Sequence, residues 1–169
     1  MEQIPFDVNN LEIRQHFLNH TLMEAIDRLT EQTQPRWGRM TVQQMVEHLT
    51  WAFALSTGKS VIICNLLPDL QENRKKFLFN NEPTPREVPN PELEKGLPPI
   101  RFANLAKAKK MLGEEVNVFL KNVTENPSLT HDHPIFGKLS LEEWERAHYK
   151  HGYHHLLQFG LIRGPDRNE

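Results

Sequence analysis

Ser140-Leu-Glu-Glu-Trp144-Glu-Arg-Ala-His148-Tyr-Lys-His151-Gly-Tyr-His154-His155-Leu-Leu-Gln158-Phe-Gly-Leu-Ile162 is the stretch on which the fold turns. Ser140 followed three residues later by Glu143 is a helix-starting pair, a side-chain acceptor and then an acid. On a wheel of about 100° per residue, Leu141, Trp144, Phe159 and Ile162 share one stripe, with His148, His151 and His155 inside it. Glu143, Arg146, Lys150 and His154 fall on other sides. This pattern predicts a helix from Ser140 to about Leu161, stopped by Gly164-Pro165. Imidazoles on a buried stripe need partners, because unpaired polar groups are costly to bury. His151 and His155 lie one turn apart, the spacing that lets two imidazoles reach one metal ion. Gly152 between them reads as space left beside that site.

Outward from this stretch, three more amphipathic helices are expected. The first runs from about Leu11 to Thr30, with Asn9 and Glu12 resembling a capping box. Its stripe is Leu11, Phe17, Leu18, Leu22, Ala25, Ile26 and Leu29. The second starts at Thr41, with Gln44 completing a capping box, and ends near Gly58. The third covers about Phe102 to Glu125, with Leu105, Ala108, Leu112, Val116, Phe119, Leu120 and Val123 as its stripe. Between the second and third, Glu82–Pro99 carries six prolines and excludes helix or sheet interior. It reads as a surface connection or as a loop that walls one end of the helices. Val61–Phe79 is ambiguous between short helix and extended chain. No period-2 alternation is long enough to predict a sheet. The expectation is one all-α domain over residues 1–169: a four-helix bundle with a long proline-rich connection between helices two and three.

Helix two supplies a third imidazole. His48 shares its face with Met45, Trp51, Ala52 and Leu55, so it too is expected on a buried side. A bundle builds metal sites from inward side chains on facing helices, and His48, His151 and His155 would give three neutral nitrogens with open coordination. His148, one turn before His151, is a candidate fourth ligand, supporting donor or catalytic general base. Gln44 and Gln158 are candidate supporting groups, and Trp51 and Trp144 candidate pocket walls.

Composition sets the bounds. The chain has 169 residues, nine histidines, one cysteine and a formal net charge of −2. With no basic excess, no nucleic-acid partner is expected. Cys64 alone excludes an intramolecular disulfide and a cysteine-based zinc cluster. The start, Met1–Asp7, has neither a basic region nor an apolar run, and Val61–Leu67 is too short to span a bilayer. A cytoplasmic protein without a membrane partner is the expectation.

His151-Gly-Tyr-His-His155-Leu-Leu-Gln158 resembles the helix motif of the DinB-like (YfiT-like) superfamily, two histidines four apart with a glutamine three residues on. Trp37-Gly-Arg-Met-Thr-Val-Gln-Gln-Met-Val-Glu-His48-Leu49 resembles that superfamily's second-helix motif. The likeness is nearest to a branch of unknown function, through His133-Pro-Ile-Phe-Gly137, Leu139–Trp144, Tyr149–His151 and His154–Gly160. These segments cover about a third of the chain. The resemblance implies a four-helix bundle with a divalent ion, zinc or nickel, held at one end by His48, His151 and His155. The branch's His-x-x-His-His pattern also offers His154 in place of His155, and the wheel favours His155. Members of the superfamily include thiol-dependent transferases, an isomerase and metal-dependent hydrolases. The expected function is therefore a metal-dependent hydrolase or thiol-dependent S-transferase acting on a small molecule, with a low-molecular-weight thiol as a candidate cofactor. A three-histidine site can lower the pKa of bound water toward about 7 or bind a thiol as thiolate. The alternative is a non-catalytic bundle stapled by metal, acting as a homodimeric interaction or stress-response protein. In it a fourth protein ligand, His148 or Glu47, would close the site, and Leu157 and Leu161 could serve an interface.

Overall fold

The structure, a computed structural model, describes residues 2–86 and 96–164. A short strand β1 (Glu2–Gln3) leads into a helical rod made of α1 (Leu11–His16), a π-helical segment (Phe17–Thr21) and α2 (Leu22–Asp27). The N-cap is Asn10, whose side chain accepts from Ile13 N at 3.1 Å. Asn9, the expected cap, is engaged elsewhere: it donates to Phe79 O and accepts from Arg146 Nη1. Phe17, Leu18, Leu22, Ala25, Ile26 and Leu29 are buried as the stripe predicts, whereas Leu11 is 51% exposed.

Helix α3 (Val42–Ser56) begins at the expected capping box, with Thr41 and Gln44 satisfying each other's backbone N–H. The ambiguous region resolves into α4 (Pro68–Lys75), with Pro68 in its first turn, followed by a 3₁₀ turn at Lys76–Leu78. Helix α5 (Leu105–Glu125) buries Leu105, Ala108, Leu112, Val116 and Phe119. It makes its most extensive packing against α3. Two strands, β2 (Thr130–His133) and β3 (Gly137–Ser140), form an antiparallel hairpin in the register Thr130↔Ser140 to His133↔Gly137. Helix α6 (Leu141–Gln158) follows at once from a second capping box, Ser140 with Glu143. Strand β4 (Ile162–Arg163) then pairs parallel to β1.

The expectation of an all-α four-helix bundle is therefore corrected. Among the described residues there are five helical rods and two two-stranded sheets. The strands escaped detection because they are two to four residues long, too short to show alternation. The hairpin depends on side-chain chemistry. His133 Nδ1 accepts from Ile135 N and Phe136 N, closing the turn, and Gly137 takes φ 70°.

The wheel of α6 is also only half right. Leu141, Trp144, Phe159 and Ile162 are buried, but so are Glu145, Arg146 and Lys150. The N-terminal segment and residues 77–82 cover that second side. Arg14 Nε pairs with Glu145 Oε1 at 2.8 Å, with both side chains nearly inaccessible. Arg146 lies over Phe79, and Lys150 over Phe77. Lys150 Nζ also donates to Asn80 O, Asn80 Oδ1 and Glu82 O at 2.6–2.9 Å. The polar side of the wheel is buried because each of these charges has been given partners. No helix among the described residues is long and apolar enough to cross a membrane.

The proline-rich connection is tied at both ends to the helices that carry the histidines. His154 faces Thr84 O across 3.4 Å, and Gln44 Nε2 donates to Pro98 O at 2.9 Å. Glu47 accepts from Arg101 N and Phe102 N. The middle of that expected segment, with Pro89 and Pro91, lies outside the described residues.

Candidate metal centre

Two capping boxes set the register of the helices that build the site. Thr41 fixes the start of α3, and His48 follows two turns later. Ser140 fixes the start of α6, which brings His151 and His155 to the same level. His48 Nε2 lies 2.8 Å from His151 Nε2, and His151 Nε2 lies 3.0 Å from His155 Nε2. One nitrogen from each ring falls within 4.8 Å of the other two.

The proton inventory of this cluster is short. Gln158 Nε2 donates to Trp37 O at 3.0 Å, so its Oε1 faces His155 Nδ1 at 2.8 Å. His155 Nδ1 must then carry the proton, and its Nε2 presents a lone pair to the cluster. His151 Nε2 can bring at most one N–H, yet it has two nitrogen neighbours. No assignment of protons to neutral rings gives each contact a hydrogen of its own. The rings are also held neutral. Burial, helped by nearby His154, lowers His48 to about 4. Burial and then the neighbouring imidazoles push His151 and His155 well below the usual histidine range. A cluster whose contacts neutral rings cannot all fill with protons is one that a divalent cation, taking a lone pair from each Nε2, satisfies. At a metal–nitrogen distance of about 2.0–2.1 Å, two nitrogens on one ion lie up to about 4.2 Å apart, which accommodates 2.8 and 3.0 Å.

The other expected residues are distributed differently. His154 lies beside His155, with ring centroids 5.2 Å apart, but the nitrogen that joins the cluster belongs to His155. His148 does not join it. Ser56 Oγ–H donates to Phe53 O, so the 2.7 Å contact between Ser56 Oγ and His148 Nε2 is donated by the histidine. The His148 ring lies 3.8 Å from Phe53 and is flanked by Trp144 and Phe119. Its Nε2 proton is thus committed inside an aromatic cage. Glu47 is likewise occupied, by Arg101 N, Phe102 N and Gln43 Nε2.

Trp51 stacks near His48, with centroids 6.2 Å apart, and walls a cavity of about 170 Å³ with Glu47, Arg101, Phe102 and Glu115. Trp144 is buried in the core, where its Nε1 donates to His131 O. Gly152 has a different task from the one read in the sequence. A Cβ there would meet Phe17 at 3.0 Å and Leu22 at 3.2 Å, so the glycine admits the N-terminal rod against α6. Leu157 and Leu161, which the alternative reading offered to an interface, are partly buried and pack against the core. Two contributors were missed altogether. Trp37 acts through its carbonyl, which no side-chain pattern reveals, and Ser56 looks like an ordinary helix-end residue.

Comparison with known proteins adds one finding. A family described as "Protein of unknown function (DUF1569)" matches residues 108–160. That span holds most of α5, the hairpin and α6 with His151 and His155, and leaves out His48. No curated protein and no solved structure matches the chain.

Proposed function

We propose that this chain is a divalent-metal-dependent enzyme acting on a small molecule, as a hydrolase or a thiol-dependent S-transferase. The observation that carries the reading is the convergence of His48, His151 and His155, whose Nε2 atoms meet at 2.8 and 3.0 Å without a proton for each contact. These three would hold the ion through Nε2. A divalent ion bound there, zinc or nickel by its nitrogen donors, supplies Lewis acidity that lowers the pKa of a water or a low-molecular-weight thiol. Gln158 holds His155 in the tautomer that leaves Nε2 free, and Trp37 O holds Gln158. Trp51 limits the space beside His48.

A purely structural staple would close the coordination with a fourth protein ligand. Among the described residues the cluster has three members, and His148 and Glu47 are both committed elsewhere. Open positions favour the enzymatic reading. Kinship with the DinB-like superfamily belongs to the same proposal and rests on the same three histidines. The test is turnover of ester, amide and thiol-acceptor panels by metal-loaded protein. Activity that disappears on chelation and in His151→Ala is the expected outcome. Turnover indifferent to both, or its absence with every divalent metal, would contradict the reading.

A further inference from the structure

The indole nitrogen of Trp37 is buried and has no hydrogen-bond partner among the described residues. A buried donor without an acceptor is costly, and native proteins rarely retain one without reason. Trp37 is held in place by its backbone. Its carbonyl accepts from Gln158 Nε2, and Arg36 N donates to Gln158 O at 2.7 Å. Gly38, at φ +83°, lets this loop lie on Gln158, since a Cβ there would come within 2.6 Å of its Nε2. The Trp37 ring meets His154 edge-on at 5.9 Å, and His154 meets His155 at 5.2 Å. The indole is thus one ring removed from the histidine cluster. On its face lies the Arg86 guanidinium, 4.8 Å from the centroid, on an exposed residue.

Both groups only donate hydrogen bonds, and one is a permanent cation. The nearby acceptor Thr84 O already faces His154. Lys150, a buried cation on α6, is by contrast saturated by Asn80 and Glu82. Among the described residues the spot offers no further acceptor, and a negatively charged ligand suits the arginine.

We propose that Trp37 Nε1 and Arg86 form an oxyanion subsite beside the histidine cluster. It would take a small ligand that carries a carboxylate at one end and a metal-directed oxygen or sulfur at the other. This rests on the metal reading above and narrows it to anionic substrates. Acetate can occupy the metal alone, whereas succinate or glutarate can place a second carboxylate on the subsite.

The test is titration of the cobalt-loaded protein with acetate, succinate and glutarate, followed by visible absorption. Wild-type protein should bind one of the two dicarboxylates about tenfold more tightly than acetate, the worth of one hydrogen bond to a charged group. Trp37→Phe, which keeps the carbonyl that holds Gln158, should retain cobalt and acetate affinity and lose that preference. Arg86→Gln should weaken dicarboxylate binding and leave acetate unchanged. Equal affinities in the wild type, or a preference that survives in both variants, would overturn the subsite while leaving the metal reading intact. A wild-type protein that holds no cobalt would overturn both. Should Trp37→Phe lose cobalt through misfolding, Arg86→Gln decides alone.

Discussion

At the residue scale, the chemistry of the cluster is set by where protons are forbidden. Gln158 Oε1 accepts a hydrogen bond from His155 Nδ1–H, and burial favours the neutral form of all three rings. Gln158→Leu should therefore leave the fold in place and weaken metal affinity by roughly 10–100-fold, the usual effect of losing an outer-shell partner, read by competition with a coloured chelator. Unchanged affinity would mean that His155 is oriented by something else. His148→Phe is a second residue-scale test. Its ring is stacked between Phe53 and Trp144, so an aromatic replacement should retain metal, with Ser56 losing one partner. A loss of bound metal in His148→Phe would put His148 back among the ligands. At this scale the sequence was informative where a side chain meets a side chain one turn away, as with His151 and His155. It was silent where a carbonyl does the holding, as at Trp37, and misled where two asparagines compete for one cap, as at Asn9 and Asn10.

At the element scale, α6 is the central rod, and the residues that look like its solvent face are buried against the N-terminal segment. The Arg14–Glu145 pair is the clearest case. Glu145→Ala would strand the buried guanidinium and should cost about 3–5 kcal/mol in denaturant unfolding. A loss below about 1 kcal/mol would show that the pair is hydrated in solution. The helix starts were legible because Thr41–Gln44 and Ser140–Glu143 state their capping chemistry within four residues. Strands β2 and β3 were not, since Thr130-His-Asp-His133 has no apolar alternation, and its turn is closed by the His133 ring. The Gly152 error has the same root. Wheel positions report which residues share a face, whereas the need for a glycine comes from Phe17 and Leu22 on another helix.

At the scale of the whole molecule, several buried neutral histidines link stability to pH. Burial lowers His48 to about 4 and His133 to about 3, from an ordinary value near 6.5. The unfolded chain therefore takes up protons before the folded one does. Stability from these groups is complete above about pH 6.5 and is lost as pH falls toward about 4 and then 3. Thermal unfolding followed from pH 7.5 to pH 4 should show a midpoint that falls steadily below about pH 6.5, with any bound metal released in the same direction. A flat midpoint across that range would mean that water reaches these rings. The central claim, that one ion is shared between α3 and α6 through three imidazoles, is most directly tested by elemental analysis of the purified protein beside His48→Ala, His151→Ala and His155→Ala. About one divalent ion per chain is expected in the wild type, with a near-complete loss in each variant. A wild-type protein without stoichiometric metal, or variants that keep it, would contradict the account.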